Sequence, residues 1–414
     1  MTNNSANHDQ GTQSVENKKS ECPDKVRATV SVSDGSFFQY PALKYSVCNM
    51  RMFMPTQRVL PSQNCRYSFK EELDEKIEEL SFIPMYETKK MTIRESLQKN
   101  HVDGILVLHK GKISYEKYFN YLDSLGTHAV MSVSKSFTGT LGAMLVAEGV
   151  LDEHQQASYY VPELTASAFG DATIRNLLDM TTALKYSEDY SDPTSDVYIF
   201  SGAGTPCKSP DYSGPSSYRD YLKSVKKEGE HGKAFAYKTI NVDALAWVIT
   251  AVTGKCIPQL LSERIWQPIG AHIEGYYQVD ETGVAFAGGG FNAALRDLAM
   301  FGEMMRNKGY FNGKQILPSA VYDDIVNHCD ADQFDKKNYP NLKGWAYRNM
   351  WWVSNNEDKA FCARGVYGQT IYIDPVAEMV LVRLASHPSA SNAVNDPYSL
   401  PAYQTIADYL KNRL

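Results

Sequence analysis

The spacing of apolar and polar positions changes several times along the chain. Residues 1–30 show no period; they are rich in Asn, Ser, Glu, Lys and Gln and hold few large apolar side chains to offset the entropy of ordering. A solvated tail is expected there, with ordered chain from near Phe37. The apolar run at residues 104–108 meets His109-Lys110-Gly111-Lys112, and Ile113, Tyr115 and Tyr118 continue a strand-like pattern, which predicts a β-hairpin. Over residues 133–148 the spacing becomes helical, with Phe137, Leu141, Met144 and Leu145 on one face and Gly149 placed to end the helix. Helical segments at 173–180 and 242–252 then alternate with Gly, Ser, Pro and Asp-rich connections up to about residue 267. Another helix is predicted at 294–305, after Gly288-Gly289-Gly290. Short aromatic or β-branched runs at 345–353, 359–362, 369–373 and 379–384 predict consecutive antiparallel strands. Pro401 stands where a last helix would start, and Ala402, Ile406 and Leu410 give it a core-facing stripe.

Hairpin, helical insertion, strand meander and final helix together imply an α+β fold, an antiparallel sheet flanked by helices plus a mainly helical lobe. The expected division is a tail at 1–30 and one domain at 31–414, its sheet lobe at about 31–130 and 275–414 and its helical lobe at about 131–274. At 414 residues and 43% hydrophobic, the chain can bury a large core. Lys and Arg number 42 against 48 Asp and Glu, a net charge of −6, with no basic run suited to tracking phosphates; nucleic acid is not an expected partner. No stretch of about 18 apolar residues and no apolar leader core is present, so no membrane association and a cytoplasmic location are expected. The seven cysteines are scattered without a CxxC pair, which fits reduced thiols rather than a zinc site.

Candidate chemistry starts from what is missing. Neither G-x-S-x-G nor H-E-x-x-H occurs, which leaves S-x-x-K, a hydroxyl and an amine one helical turn apart. Stretches that match it include Ser132 with Lys135, Ser96 with Lys99, and Ser224 with Lys227. The last two lie in charged surroundings that read as solvated helix faces. Ser132 instead opens the apolar helix, where free backbone N–H groups favour a developing oxyanion and the following turns would bury Lys135, lowering its proton affinity toward that of a base. The same position also suits a helix-capping serine. Tyr237, ahead of the 242–252 helix, reads either as a core phenol or as the second proton carrier such a serine needs.

The blocks Met131-Ser132-Val133-Ser134-Lys135-Ser136, Ile174-Arg175-Asn176-Leu177-Leu178-Asp179-Met180 and Tyr237 through Asn241 resemble, in order, the serine β-lactamase-like superfamily of class C β-lactamases, D-amino peptidases and related esterases. Tyr186-Ser187-Glu188-Asp189-Tyr190 and Phe286-Ala287-Gly288-Gly289-Gly290 make the chain most similar to the 6-aminohexanoate-dimer, or nylon-oligomer, hydrolases, over nearly everything after residue 40. The resemblance implies a β-lactamase/transpeptidase-like fold, a small-molecule substrate and no metal or organic cofactor. It implies Ser132 as acylated nucleophile, Lys135 as its proton acceptor or electrostatic partner, and Tyr237 as general base and acid. Tyr190 matches a position that binds the substrate amide, and equally reads as a core phenol. The third block, Lys-Thr-Gly in β-lactamases, falls on Ala363-Arg364-Gly365 and lacks the lysine, which argues against β-lactam turnover; Arg364 is expected to point to the other side of its strand. The backbone N–H of Val366, with that of Ser132, is implied as the oxyanion hole. Thr239 departs from the Tyr-x-Asn of many relatives, with Asn241 a candidate replacement. The implied activity is hydrolysis of an amide or ester bond through an acyl-enzyme, with a carboxylesterase or acyltransferase of the same fold, or an inactive binding protein, as alternatives.

Overall fold

The computed structural model describes residues 27, 29–205, 208, 212–334 and 337–413, and the tail expected over 1–30 lies almost wholly outside them. Packing is already present at Val30, which is buried with Phe37, Leu43, Val47 and Met50 against Ala129 and Met131.

The main sheet is formed by β1 (Lys70–Glu71), β2 (Val102–His109), β3 (Lys112–Tyr118), β4 (Ala346–Arg348), β5 (Trp351–Val353), β6 (Phe361–Gly365), β7 (Gln369–Asp374) and β8 (Met379–Ala385). Their order is β4-β5-β6-β7-β8-β2-β3-β1, antiparallel except for the parallel edge pair β1 and β3. β2 and β3 are the expected hairpin. Its turn residues Lys110 and Gly111 have φ of 51° and 73°, the left-handed pair whose twist matches that of the strands.

Four longer helices matter for the site: α1 (Val133–Ala147), α2 (Ile240–Thr253), α3 (Leu295–Arg306) and α4 (Asp396–Lys411). Val380 and Ile371 meet α3 at Gly302, whereas Tyr372 packs on Tyr403 and Arg383 donates to Ser399, both of α4. Side chains alternate along a strand, so α3 and α4 cover opposite faces of the sheet. α1 lies on the α3 side, with Phe137 stacked on Phe301 at 3.9 Å, and all its residues from 133 to 145 are buried. It ends at Gly149, whose φ of 72° is the left-handed stop that the glycine predicts. The result is an α+β architecture, sheets flanked by helices.

Two expectations are corrected. The run at 345–353 is not one strand but the hairpin β4 and β5, turning at Asn349 and Met350 with φ of 49° and 64°. No glycine marks the turn, because tertiary bonds hold it: the Asn349 amide donates to Asp179 at 3.0 Å and the Met350 amide to the Leu178 carbonyl at 3.0 Å. The last helix starts at Asp396, with a proline, Pro397, already in its first turn, and Pro401 lies inside it. Pro401 has no N–H to offer the Pro397 carbonyl, and the Met85 amide supplies that bond at 3.0 Å. A second, four-stranded sheet of very short strands (Thr56–Val59, Gly275–Gln278, Phe291–Ala293, His128–Ala129) carried no sequence signal and delivers the chain to the start of α1.

Candidate active site

The chain reaches α1 through a forced turn. The Val130 amide donates to the Phe291 carbonyl, Met131 takes a left-handed φ of 49°, and Ser132 is the N-terminal cap residue of α1. Ser134 fastens the turn: its hydroxyl donates to the Met131 carbonyl at 2.6 Å and accepts from the Phe291 amide at 3.1 Å. Non-glycine residues in this conformation are costly and persist where their surroundings hold them. Ser132 is thereby left at the first turn, where N–H groups have no intrahelical acceptor, and it caps nothing with its own side chain.

One turn on, the Lys135 side chain is 1% exposed. Its Nζ donates to Ser132 Oγ at 2.9 Å and to the Gly288 carbonyl at 2.5 Å. Burial pushes this ammonium's pKa down, and the Glu188 and Asp243 carboxylates hold it partly up. Gly288 belongs to the glycine run before Phe291, and a Cβ there would stand 2.6 Å from the Thr239 methyl and 2.9 Å from Asp243 Oδ2. The glycine lets its carbonyl reach the lysine.

Tyr237 sits ahead of α2, its ring centroid 5.2 Å from Lys135 Nζ and tilted on Trp352 of β5 at 5.4 Å. Burial pushes the phenol well above its ordinary value and Glu188 pushes the same way, opposed by a hydrogen bond with Ser132 and by Arg364. Raised above its ordinary value, the phenol carries its proton at neutral pH.

Ser132, Tyr190, Tyr237, Trp352, Arg364 and Val366 line one cavity of about 650 Å³. Ser132, Tyr190, Tyr237 and Val366 thus meet at it, with Lys135 directly beneath. Ser96 and Ser224 do not. Ser96 is buried rather than solvated and donates to the Tyr398 carbonyl at 2.8 Å, with Lys99 turned over the Tyr398 ring; Ser224 bonds the Tyr221 carbonyl, and Lys227 pairs with Asp171.

Val366 follows β6, whose end approaches Ser132 closely: a Cβ on Gly365 would lie 3.0 Å from the Ser132 nitrogen. Arg364 is a correction. It faces the cavity while Ala363 is in the core, but its guanidinium is bonded to Asp396 and lies over Trp352 at 5.3 Å. The strand alternates as expected, with the opposite phase. Asn241 turns into the interior, where its oxygen accepts from Thr182 at 2.6 Å. The Ile174 to Met180 block stands apart from the cavity: Arg175 bonds Glu153, Asp179, Asp324 and Asn349, tying that helix to the hairpin that carries Trp352.

Glu188 is the cavity residue that sequence reasoning left without a role. Its carboxylate accepts from the Thr239 amide and hydroxyl, both at 2.6 Å, and from the Tyr190 hydroxyl at 2.7 Å. Thr239, the departure from Tyr-x-Asn, is the residue that fixes it, and Tyr190 is held by it. A glutamate in a polar loop gave no pattern by which to find this.

Comparison with known proteins agrees with the fold. A family model described as Beta-lactamase matches residues 91–404. A 6-aminohexanoate-dimer hydrolase of Paenarthrobacter ureafaciens is 30% identical over 303 residues, 73% of this chain and 76% of that one. A Bacillus anthracis structure described as a candidate 6-aminohexanoate-dimer hydrolase superposes with a TM-score of 0.83 at 32% identity, over 93% of this chain and 98% of that one. EstCE1, a hydrolase with promiscuous acyltransferase activity, shares the fold alone, with a TM-score of 0.58 at 18% identity over 77% of this chain and 96% of that one.

Proposed function

The chain belongs to the beta-lactamase family, and on that premise we propose that it is a serine hydrolase cleaving an amide or ester bond of a small linear substrate through an acyl-enzyme, in the manner of a 6-aminohexanoate-dimer hydrolase. The observation that carries this reading is the bond from buried Lys135 to Ser132 Oγ at 2.9 Å, on the floor of a cavity walled by Tyr237 and Trp352. A structural cap would not need a buried amine.

The proposed steps follow from the environments. Lys135, its proton affinity lowered by burial, takes the Ser132 proton as Oγ bonds to the substrate carbonyl carbon. The amides of Ser132 and Val366 receive the oxyanion. Tyr237, which holds its proton, gives it to the leaving nitrogen or oxygen and is recharged by Lys135. Water then attacks the ester on Ser132 while the same groups run in reverse. Tyr190 faces the cavity and, held by Glu188, is placed to contact the scissile group.

The test offers one preparation the 6-aminohexanoate dimer, p-nitrophenyl esters and an acceptor alcohol, with intact-mass detection of an acyl adduct. Adduct formation that vanishes in Ser132→Ala supports the reading; turnover without an adduct, or an adduct on another residue, overturns it. Faster transfer to the alcohol than to water would make the enzyme an acyltransferase of the same mechanism.

A further inference from the structure

Asp243 lies one turn into α2, a buried carboxylate on a helix that also buries Ile240, Val242, Leu245 and Ile249. An interior carboxylate is costly unless something in the fold uses or compensates it. Its Oδ1 accepts from the Ala287 amide at 2.9 Å, and its Oδ2 is buried with no hydrogen-bond partner among the described residues. Oδ2 points toward Gly288, where an added Cβ would stand 2.9 Å from it, and the carbonyl of Gly288 is the second acceptor of Lys135. Carboxylate and amine are therefore tied to one short backbone unit, Ala287 and Gly288.

The groups around the pair are few in kind. Tyr186 from the loop after the Ile174–Leu178 helix, Tyr218 from the Tyr218–Ser224 helix and Tyr277 from the Gly275–Gln278 strand feel Asp243, each a phenol pushed up by burial first. Asp280 acts on Tyr218, while Glu188 acts on both Lys135 and Tyr237. Burial pushes the Asp243 carboxyl up, and the charge of Lys135, held on the same Gly288 unit, opposes this.

We infer that Asp243 is a positioning residue of this hydrolase: through the Ala287–Gly288 backbone it fixes where the amine stands against Ser132, and its charge favours the charged form of that amine. The inference rests on the reading of Ser132 and Lys135 given above. Asp243 touches no substrate; it acts through the lysine.

Asp243→Asn keeps an oxygen for the Ala287 amide and removes the charge. A carboxylate favours the charged form of a neighbouring lysine, so its loss makes neutral Lys135 available at lower pH. The acid limb of kcat/KM for p-nitrophenyl acetate should move down by about one pH unit or more, with KM within about twofold, given that an opposite charge nearby shifts a pKa by roughly one to three units. A limb unmoved in a folded variant would reduce Asp243 to a packing residue. If the variant does not fold, carbon-13 titration of lysine Cε in the parent decides: Lys135 titrating in two steps shared with Asp243 is expected, and a single independent step overturns the inference. Fluorophosphonate labelling of Ser132→Ala separates the two claims. Labelling that persists there sinks the nucleophile assignment, whereas an unmoved acid limb with silent Ser132→Ala sinks only the role of Asp243.

Discussion

The S-x-x-K at Ser132 and the one at Ser96 share spacing and helical setting and differ in everything else. Ser132 stands at the first turn of α1 with Lys135 beneath it, buried and bonded to its hydroxyl. Ser96 sits in the middle of a short helix, buried against the Tyr398 carbonyl, and the exposed Lys99 turns away over a ring. Spacing puts a serine and a lysine on one face in both cases. Only at α1 is the amine taken out of water, and desolvation is what makes a lysine a usable base near neutral pH. Burial of the amine, not burial of the serine, separates the two.

The sharpest way to break that comparison is to remove each hydroxyl. Ser132→Ala should lower ester and amide turnover by about 10⁴-fold or more, the scale of losing a nucleophile, and abolish fluorophosphonate labelling. Ser96→Ala and Ser224→Ala should leave both unchanged. Retained labelling in Ser132→Ala would place the chemistry elsewhere.

The pH profile sharpens the role of the lysine. Because burial lowers the Lys135 pKa, kcat/KM should rise with pH through a value below the 10.5 of an ordinary lysine and level off above it. A profile still rising at 10.5 would mean the amine is not the base. Lys99 and Lys227, exposed and paired at the surface, should contribute nothing to it when changed to Met.

Much of this contrast is legible in the sequence. The apolar period of α1, its glycine stop, the hairpin of β2 and β3 and the Ser132, Lys135 and Tyr237 set all follow from local pattern or family likeness. What was illegible depends on tertiary partners. The Asn349 and Met350 turn is held by Asp179 and Leu178, Pro401 is tolerated because Met85 satisfies the freed carbonyl, and Glu188 acquires its place from Thr239 and Tyr190. Arg364 was misplaced because alternation fixes that neighbours face opposite ways, while the phase depends on which face the cavity occupies.

Tyr237→Phe asks whether the phenol is wall or acid. As a wall it would lose about 0.5 to 1.5 kcal/mol of stability and little turnover. As the proton donor it should lose about 10² to 10⁴-fold in amide cleavage, where the amine must leave protonated, and much less with p-nitrophenyl esters, whose leaving group departs unaided. Equal small losses on both substrates would return it to the wall and leave Lys135 to move every proton.

Arg364 extends the contrast to the site's cations. Lys135 is committed to Ser132, the guanidinium that faces the cavity is already bonded to Asp396 and the Lys238 ammonium to the Leu184 carbonyl, so none of the three is free to anchor the carboxylate of a β-lactam. Nitrocefin should be hydrolysed far more slowly than p-nitrophenyl acetate. Comparable rates would show that a substrate carboxylate displaces Asp396.

The smallest effect is the most discriminating about Ser96 itself. Its hydroxyl donates to the Tyr398 carbonyl at 2.8 Å and accepts from Asn100 at 3.2 Å, linking the Ile93–Lys99 helix to the first turn of α4. Alanine there leaves a half-buried carbonyl with one bond fewer, at a cost of about 1 kcal/mol. Ser96→Ala should therefore melt at a lower temperature than the parent while its kcat and KM stay the same. That is the inverse of Ser132→Ala, which removes the chemistry and leaves the helix cap as it was, since the Ser132 side chain caps nothing. A Ser96→Ala protein with normal melting and impaired turnover would mean that burial of the amine is the wrong criterion, and that the second serine reaches the site through α4.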